Sequence, residues 1–145
     1  MTIGLLFGVF SAAFLSATLL VGVSEAALLA TASLPNASLF ALFLAATAGN
    51  VLGAVVNYTL GRFLTRFENR RWFPVGPANR QKAEMLFARF GQPILLFSWL
   101  PVIGDPLTLA AGLLRTPFLV FLVYVTAGKA ARYAAILWAW DAIVV

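Results

Sequence analysis

The feature that most constrains this chain is a long apolar stretch, from Ala26 to Gly61, that contains no charged residue. A helix that spans a lipid bilayer needs roughly 20 consecutive apolar residues, so this stretch is long enough to cross the membrane once. Charged residues make up 10% of the whole sequence, against about 25% in soluble domains. Because so little polar surface is available to cover a soluble globule, the chain is predicted to be an all-α integral membrane protein.

Two residue types are absent from the sequence, and their absence excludes several kinds of functional site. Cysteine and histidine do not occur, which excludes disulfides, thiolate nucleophiles, Cys/His zinc sites and histidine-based catalytic triads. No cofactor and no metal site is expected. The apolar N-terminal segment lacks a positively charged start, so it is interpreted as mature protein rather than as a cleaved signal peptide, with an uncleaved signal anchor as the alternative.

Positive charge is concentrated in one segment. Between Arg62 and Arg89 there are seven basic and two acidic residues, which accounts for the whole net charge of +5. A short basic loop between apolar segments is retained in the cytoplasm. Nucleic-acid binding is the competing interpretation of a basic patch, but both flanking segments are apolar enough for hydrocarbon, so no nucleic-acid partner is expected.

The first apolar region, 1–35, is interrupted at Gly22, Ser24 and Glu25. A charge exposed to lipid in mid-membrane costs at least ~2.5–3.5 kcal/mol. This region is therefore predicted to enter the bilayer, break at Gly22 and return as a re-entrant hairpin. A plain transmembrane helix followed by a loop is the alternative.

Residues 36–61 are predicted to form a transmembrane helix. Residues spaced four apart give it a ridge of mostly small side chains, with Asn50 beside it: Gly49, Gly53, Asn57 and Gly61. Such a ridge lets another helix approach closely, so these residues are interpreted as packing residues. A dimer interface at Gly49 and Gly53 is the alternative.

The segment 62–90 is predicted to be a basic loop followed by an amphipathic helix that runs from Asn79, as N-cap, to about Phe90. The apolar side chains of this helix recur at helical spacing, at Ala83, Leu86, Phe87 and Phe90. A helix of this kind is expected to lie at the membrane surface.

The second half repeats the plan of the first. A second re-entrant hairpin is predicted over 91–116, and a last transmembrane helix over 117–141. The second hairpin is broken at Pro101, Gly104, Asp105 and Pro106. A shift of 82 residues places Ser16 on Ser98, Gly22 on Gly104 and Pro35 on Pro117. The pattern predicts an inverted repeat, in which interrupted segments at corresponding positions point to a binding site at the bilayer midplane.

Charged residues at the expected hydrocarbon depth are predicted to converge, because buried unpaired ions are too costly to persist. They are Glu25, Asp105, Lys129 and Arg132. Glu25 with Lys129 and Asp105 with Arg132 are candidate pairs. In the functional interpretation Glu25 and Asp105 carry protons or gate the hairpins, while Arg115, Lys129 and Arg132 bind an anion or a lipid phosphate. The alternative is a static ion-pair network.

Four blocks of sequence carry a family resemblance. They are FLSATLLVGVSE (14–25), GNVLGAVVNYTLGR (49–62), RFGQPILLFSWLPVIGDPLTLAAGLLR (89–115) and GKAARY (128–133). In this order they resemble the DedA superfamily of bacterial membrane proteins, also called SNARE-associated or VTT-domain proteins, and most closely its small YqaA-like branch.

This resemblance implies two opposed re-entrant hairpins and a role in moving lipid carriers or phospholipids that depends on the proton motive force. Glu25 matches the acidic residue of the family's first hairpin, and Arg62 matches the end of its Gly-Arg block. The sequence also departs from the family. Ser98 and Gly104 stand where better-known members carry two arginines, and Val21 replaces a proline before Gly22.

Together these observations predict a multi-pass protein of the bacterial inner membrane that acts as a proton-linked flippase or scramblase for an anionic lipid. The expected partners are membrane lipids and, in a homo-oligomer, a second copy of the chain. A secondary transporter of a small ion or solute and a non-catalytic scaffold are the alternatives. An enzyme is not expected, although an intramembrane carboxylate pair that shares one proton could support hydrolysis.

Overall fold

A computed structural model describes residues 1–18, 23–63, 77–100 and 103–144 of the protein. Within these ranges the chain is all-helical and has no strand, as predicted. The described residues form six α-helices and one short 3₁₀ helix (Gln92–Phe97): α1 (Ile3–Thr18), α2 (Val23–Ala32), α3 (Leu39–Phe63), α4 (Pro77–Phe90), α5 (Gly104–Leu113) and α6 (Phe118–Val144).

Two helices, α3 and α6, are long and apolar enough to cross a membrane. Helix α3 begins three residues later than predicted because Asn36 adopts a positive φ of 61° and the Ser38 hydroxyl accepts a bond from the Ala41 amide at 3.3 Å. A serine in this position caps a helix N-terminus. Helix α6 extends past Asp141, which is exposed near its end.

The chain divides into two compact units. Unit 1 comprises Met1–Gly53 and Lys129–Val145. Helices α1 and α2 pack against each other, and the core of the unit combines side chains from α1, α2, α3 and α6: Val9, Ala13, Leu28, Leu42, Ala46, Tyr133 and Leu137. At Gly49 the backbone of α3 comes so close to the Phe10 carbonyl of α1 that no side chain would fit.

Unit 2 comprises Ala54–Gly128. Helix α4, the 3₁₀ helix and α5 pack together. Helices α3 and α5 touch through their backbones at two glycines. Gly61 of α3 lies against the Leu109 carbonyl of α5, and Gly112 of α5 lies against the Tyr58 carbonyl of α3. Small residues at these two positions let the helix backbones approach closely.

Helix α4 is amphipathic, although not every apolar side chain predicted for its buried face is buried. Ala83 and Phe87 are buried in the core of unit 2, whereas Phe90 is exposed. The helix ends before Gly91, which takes a positive φ of 71° as a residue after a helix end commonly does. Its start differs from the prediction: the helix already includes Pro77, a residue favoured in a first turn, so Asn79 lies inside the helix and is not its cap.

The predicted breaks in the two hairpins have different outcomes. Gly22 and Pro101 lie outside the described residues. Gly104, Asp105 and Pro106 form the first turn of α5, so the prediction that they are part of the break is wrong. The physical reason is that proline is tolerated in a first helical turn and that a carboxylate there interacts favourably with the helix dipole.

The close contact at Gly49 generates a stability prediction. We expect Gly49→Ala to lower the free energy of unfolding by about 2 kcal/mol, since the new methyl group would overlap the Phe10 carbonyl and force α1 and α3 apart. Gly8→Ala in α1 is the matched control, because nothing lies within 4 Å of a Cβ at that position. Denaturation of both purified variants in detergent measures the difference, and an equal stability of the two would contradict this packing.

Candidate functional site

Unit 1 contains an ion pair between Glu25 of α2 and Arg132 of α6. The two side chains are 21% and 20% exposed, respectively, so the pair is largely removed from solvent. The Ser24 hydroxyl donates a hydrogen bond to the second carboxylate oxygen of Glu25 at 3.1 Å. Both carboxylate oxygens of Glu25 therefore have polar neighbours, one a cation and the other a neutral donor.

A second polar contact in unit 1 joins three helices. The Lys129 ammonium of α6 donates to the side-chain carbonyl of Asn50 in α3. The amide of Asn50 in turn donates to the backbone carbonyl of Ala13 in α1 at 3.1 Å. Lys129 and Asn50 are each 3% exposed, and a buried ammonium is tolerated only where polar groups receive its protons. Asn50 thus acts as a hydrogen-bonded support for Lys129.

The side chain of Ser24, which bonds to Glu25, is buried, and so is the side chain of Tyr133 in the same unit. The Tyr133 hydroxyl is buried and lies near Ser24 and Asn50. The guanidinium of Arg132 also lies 5.9 Å from the centre of the Tyr133 ring. We call the set Ser24, Glu25, Asn50, Lys129, Arg132 and Tyr133 the unit 1 polar cluster.

The structure places three of the four predicted intramembrane charges, Glu25, Lys129 and Arg132, in unit 1. Asp105 belongs to unit 2, in the first turn of α5, where its backbone carbonyl accepts a bond from the Thr108 hydroxyl at 2.8 Å. The convergence of Asp105 with the other three charges stays a prediction.

The remaining predicted residues serve packing or line another cleft. Asn57 is buried and donates to Thr108 at 3.4 Å, and Gly53 is buried in α3. Gly104 approaches the Ser98 carbonyl too closely to accept a side chain. Arg62 and Arg115 line a single cleft in unit 2 together with Tyr58. Arg115 thus belongs to a different unit from Lys129 and Arg132, the two other predicted anion-binding residues.

A larger cavity of about 470 Å³ in unit 2 is not a candidate for charge chemistry. The described side chains that line it are all apolar: Leu86, Phe90, Pro93, Ile94, Phe97, Leu100, Ile103 and Leu107. Side chains of this kind fit the burial of apolar material.

Among the described residues the fold is all-helical, with two helices long and apolar enough to cross a membrane and with charged side chains in contact between helices. The sequence matches the family model of the VTT domain over residues 1–141. The chain therefore belongs to the VTT-domain family of membrane proteins, and the predicted resemblance to the DedA superfamily is confirmed.

Individual relatives agree with this assignment. Over 131 residues the chain is 40% identical to inner membrane protein YqaA of Escherichia coli (strain K12), covering 90% of this chain and 87% of that protein. The values are the same for the protein of that name from Shigella flexneri. An uncharacterized protein of Haemophilus influenzae is 39% identical over 99 residues, which is 68% of this chain and 59% of the relative. No solved structure matches the chain.

The ion pair generates a prediction about energetic coupling. In a double-mutant cycle of Glu25→Gln and Arg132→Gln, we expect a coupling energy of about 1–3 kcal/mol, because each single change strands the opposite charge. The control cycle pairs Asp141→Asn with Arg132→Gln, since Asp141 is exposed. Unfolding in detergent measures both cycles, and strict additivity of the Glu25 and Arg132 changes would refute the pairing.

Proposed function

We propose that the protein is a DedA-type transporter of the bacterial inner membrane that moves an anionic lipid or a lipid-phosphate carrier in a proton-linked manner. The observation that carries the proposal is the ion pair between Glu25 and Arg132 in a largely buried polar cluster. An ionisable residue within a membrane segment is expensive, so its presence favours a functional role.

The chemistry of the pair supplies a coupling step. When Glu25 is ionised, its carboxylate neutralises Arg132 and occupies the donors that would otherwise bind an anion. When a proton binds to a carboxylate oxygen of Glu25, the negative charge is lost and Arg132 can instead bind a phosphate oxygen. Lys129, held by Asn50, adds a second positive charge. Release of the proton restores the ion pair and displaces the anion.

Asp105 is proposed to act as the corresponding acid of the second hairpin. Glu25 and Asp105 both lie in the first turn of a helix of 10 residues. In each half of the chain this short helix is followed by a turn with a positive-φ residue, Asn36 or Arg115, and then by a helix long enough to span the membrane. This shared plan supports two re-entrant hairpins in an inverted repeat.

The proposed topology follows from the distribution of charge. The basic segment 62–82 is placed in the cytoplasm by the positive-inside rule, and α4 is placed at the same membrane surface. A location in the inner membrane also fits the name of the Escherichia coli relative, inner membrane protein YqaA, and the two helices long enough to span a membrane support a multi-pass arrangement.

The proposal predicts that Glu25→Gln abolishes lipid movement while the protein remains folded. Glutamine keeps the size of the side chain and its hydrogen-bonding capacity but cannot exchange a proton or neutralise Arg132. The measurement is the transbilayer movement of a fluorescent phosphatidylglycerol in proteoliposomes across which a pH gradient is imposed.

Asp141→Asn is the matched control for this assay, since it removes an exposed carboxylate from the end of α6 and is expected to leave movement unchanged. Helical circular dichroism and the elution volume of the detergent-solubilised variants report folding. Normal lipid movement by a folded Glu25→Gln protein would exclude the proposed coupling role.

A further inference from the structure

A cleft in unit 2 presents two arginines that the transport step does not use. Its volume is about 410 Å³, and its lining combines basic, aromatic and hydroxyl side chains: Tyr58, Thr59, Arg62, Phe63, Arg115, Pro117 and Phe118. Among the described residues no carboxylate lines it. We call it the two-arginine cleft. Arg62 and Arg115 are both exposed, so the cleft is open to a ligand.

Tyr58 links the two chain segments that carry the arginines of the cleft. Its side chain is buried, and the centre of its ring lies 4.6 Å from that of Phe121. Its hydroxyl donates to the Thr116 carbonyl at 2.5 Å and accepts a bond from Arg62 at 3.4 Å. Since Thr116 directly follows Arg115, this one hydroxyl ties the end of α3 to the loop that carries the second arginine.

The backbone of Arg115 provides an independent argument. Its φ is 54°, and the amides of Arg115 and Thr116 bond to the carbonyls of Gly112 at 3.1 Å and Ala111 at 2.9 Å. These two bonds form a Schellman motif, whose positive-φ position is usually occupied by glycine and sometimes by asparagine. A residue with a Cβ is disfavoured there, so the presence of an arginine at this position points to a role for its side chain.

We propose that the two-arginine cleft binds a phosphate group, either in the headgroup of an anionic phospholipid or in a soluble phosphate. Guanidinium groups present planar forks of N–H donors that match phosphate oxygens. The N-terminus of α6 begins beside the cleft at Phe118 and adds a positive helix dipole. Phe63, Pro117 and Phe118 supply apolar walls of the kind that the first carbons of a lipid would contact.

This site does not depend on the proposed transport function. Neither arginine belongs to the unit 1 polar cluster, and phosphate binding here requires no proton transfer at Glu25. A protein that fails to move lipid could still bind phosphate in the cleft, and a functional transporter could lack this site. A negative result for one of the two proposals would therefore leave the other intact.

The test compares the phosphate affinities of the purified protein and three variants. Arg62→Gln removes one fork of donors. Arg115→Gly removes the other, and it suits the positive φ, so its melting temperature should not fall. Arg89→Gln is the matched control, because Arg89, like Arg62, is an exposed arginine in the last turn of a helix that lies over the ring of the next residue, Phe90.

The two probes are phosphatidylglycerol, followed by native mass spectrometry, and inorganic phosphate, followed by calorimetry. We expect Arg62→Gln and Arg115→Gly each to lower the affinity about tenfold, as for a lost charge-assisted hydrogen bond, and Arg89→Gln to leave it unchanged. A loss confined to phosphatidylglycerol identifies a lipid site, whereas a loss with both probes identifies a general phosphate site. Equal affinities of all three variants and the unmodified protein would overturn the proposal.

Discussion

The high cost of placing a charge in hydrocarbon is the constraint on which unit 1 depends. The structure meets this cost by pairing Glu25 with Arg132. It also bonds the Lys129 ammonium to the side-chain carbonyl of Asn50, whose amide is in turn held by the Ala13 carbonyl. These contacts also connect helices: the ion pair joins α2 to α6, and Asn50 joins α3 to α1 and α6. Because polar contacts link the four described helices of the unit, a change of charge at Glu25 would alter how they are held together. This connection is the physical basis of the transport proposal.

Close backbone contacts organise the part of unit 2 that the structure describes. Gly61, Gly104, Gly112 and Gly128 each lie directly against a backbone carbonyl of another segment. Close contacts of this kind increase van der Waals packing between helices, which is a main source of helix association in lipid. Within this packed frame the charged side chains of Arg62 and Arg115 remain exposed, so they are available to a ligand. The two units thus hold two chemically different sites, one a neutralised pair and the other a positively charged cleft.

The features that could be predicted from the sequence are those that depend on the residues of one short segment. The helices α3 and α6 follow from apolar length, and the end of α4 follows from Gly91. Sequence reasoning did not predict which partners meet when they are far apart in sequence: spacing places Lys129 and Arg132 on one face of α6 but does not reveal that Arg132 pairs with Glu25. Arg115 was predicted to bind a lipid phosphate together with Lys129 and Arg132, but its position beside Arg62 in the two-arginine cleft was not predicted. A signal for the cleft was present, because Tyr58 precedes Arg62 by one helical turn, but nothing in the sequence brings Arg115 to the same place.

In the proposed mechanism a proton gradient drives lipid movement through the Glu25–Arg132 pair. The most direct measurement is the initial rate of phosphatidylglycerol movement by the unmodified protein in proteoliposomes, recorded with and without an imposed pH gradient and again after a protonophore has collapsed that gradient. We expect a rate that rises with the gradient and returns to its basal value when the protonophore is added. A rate that is the same under all three conditions would contradict this mechanism.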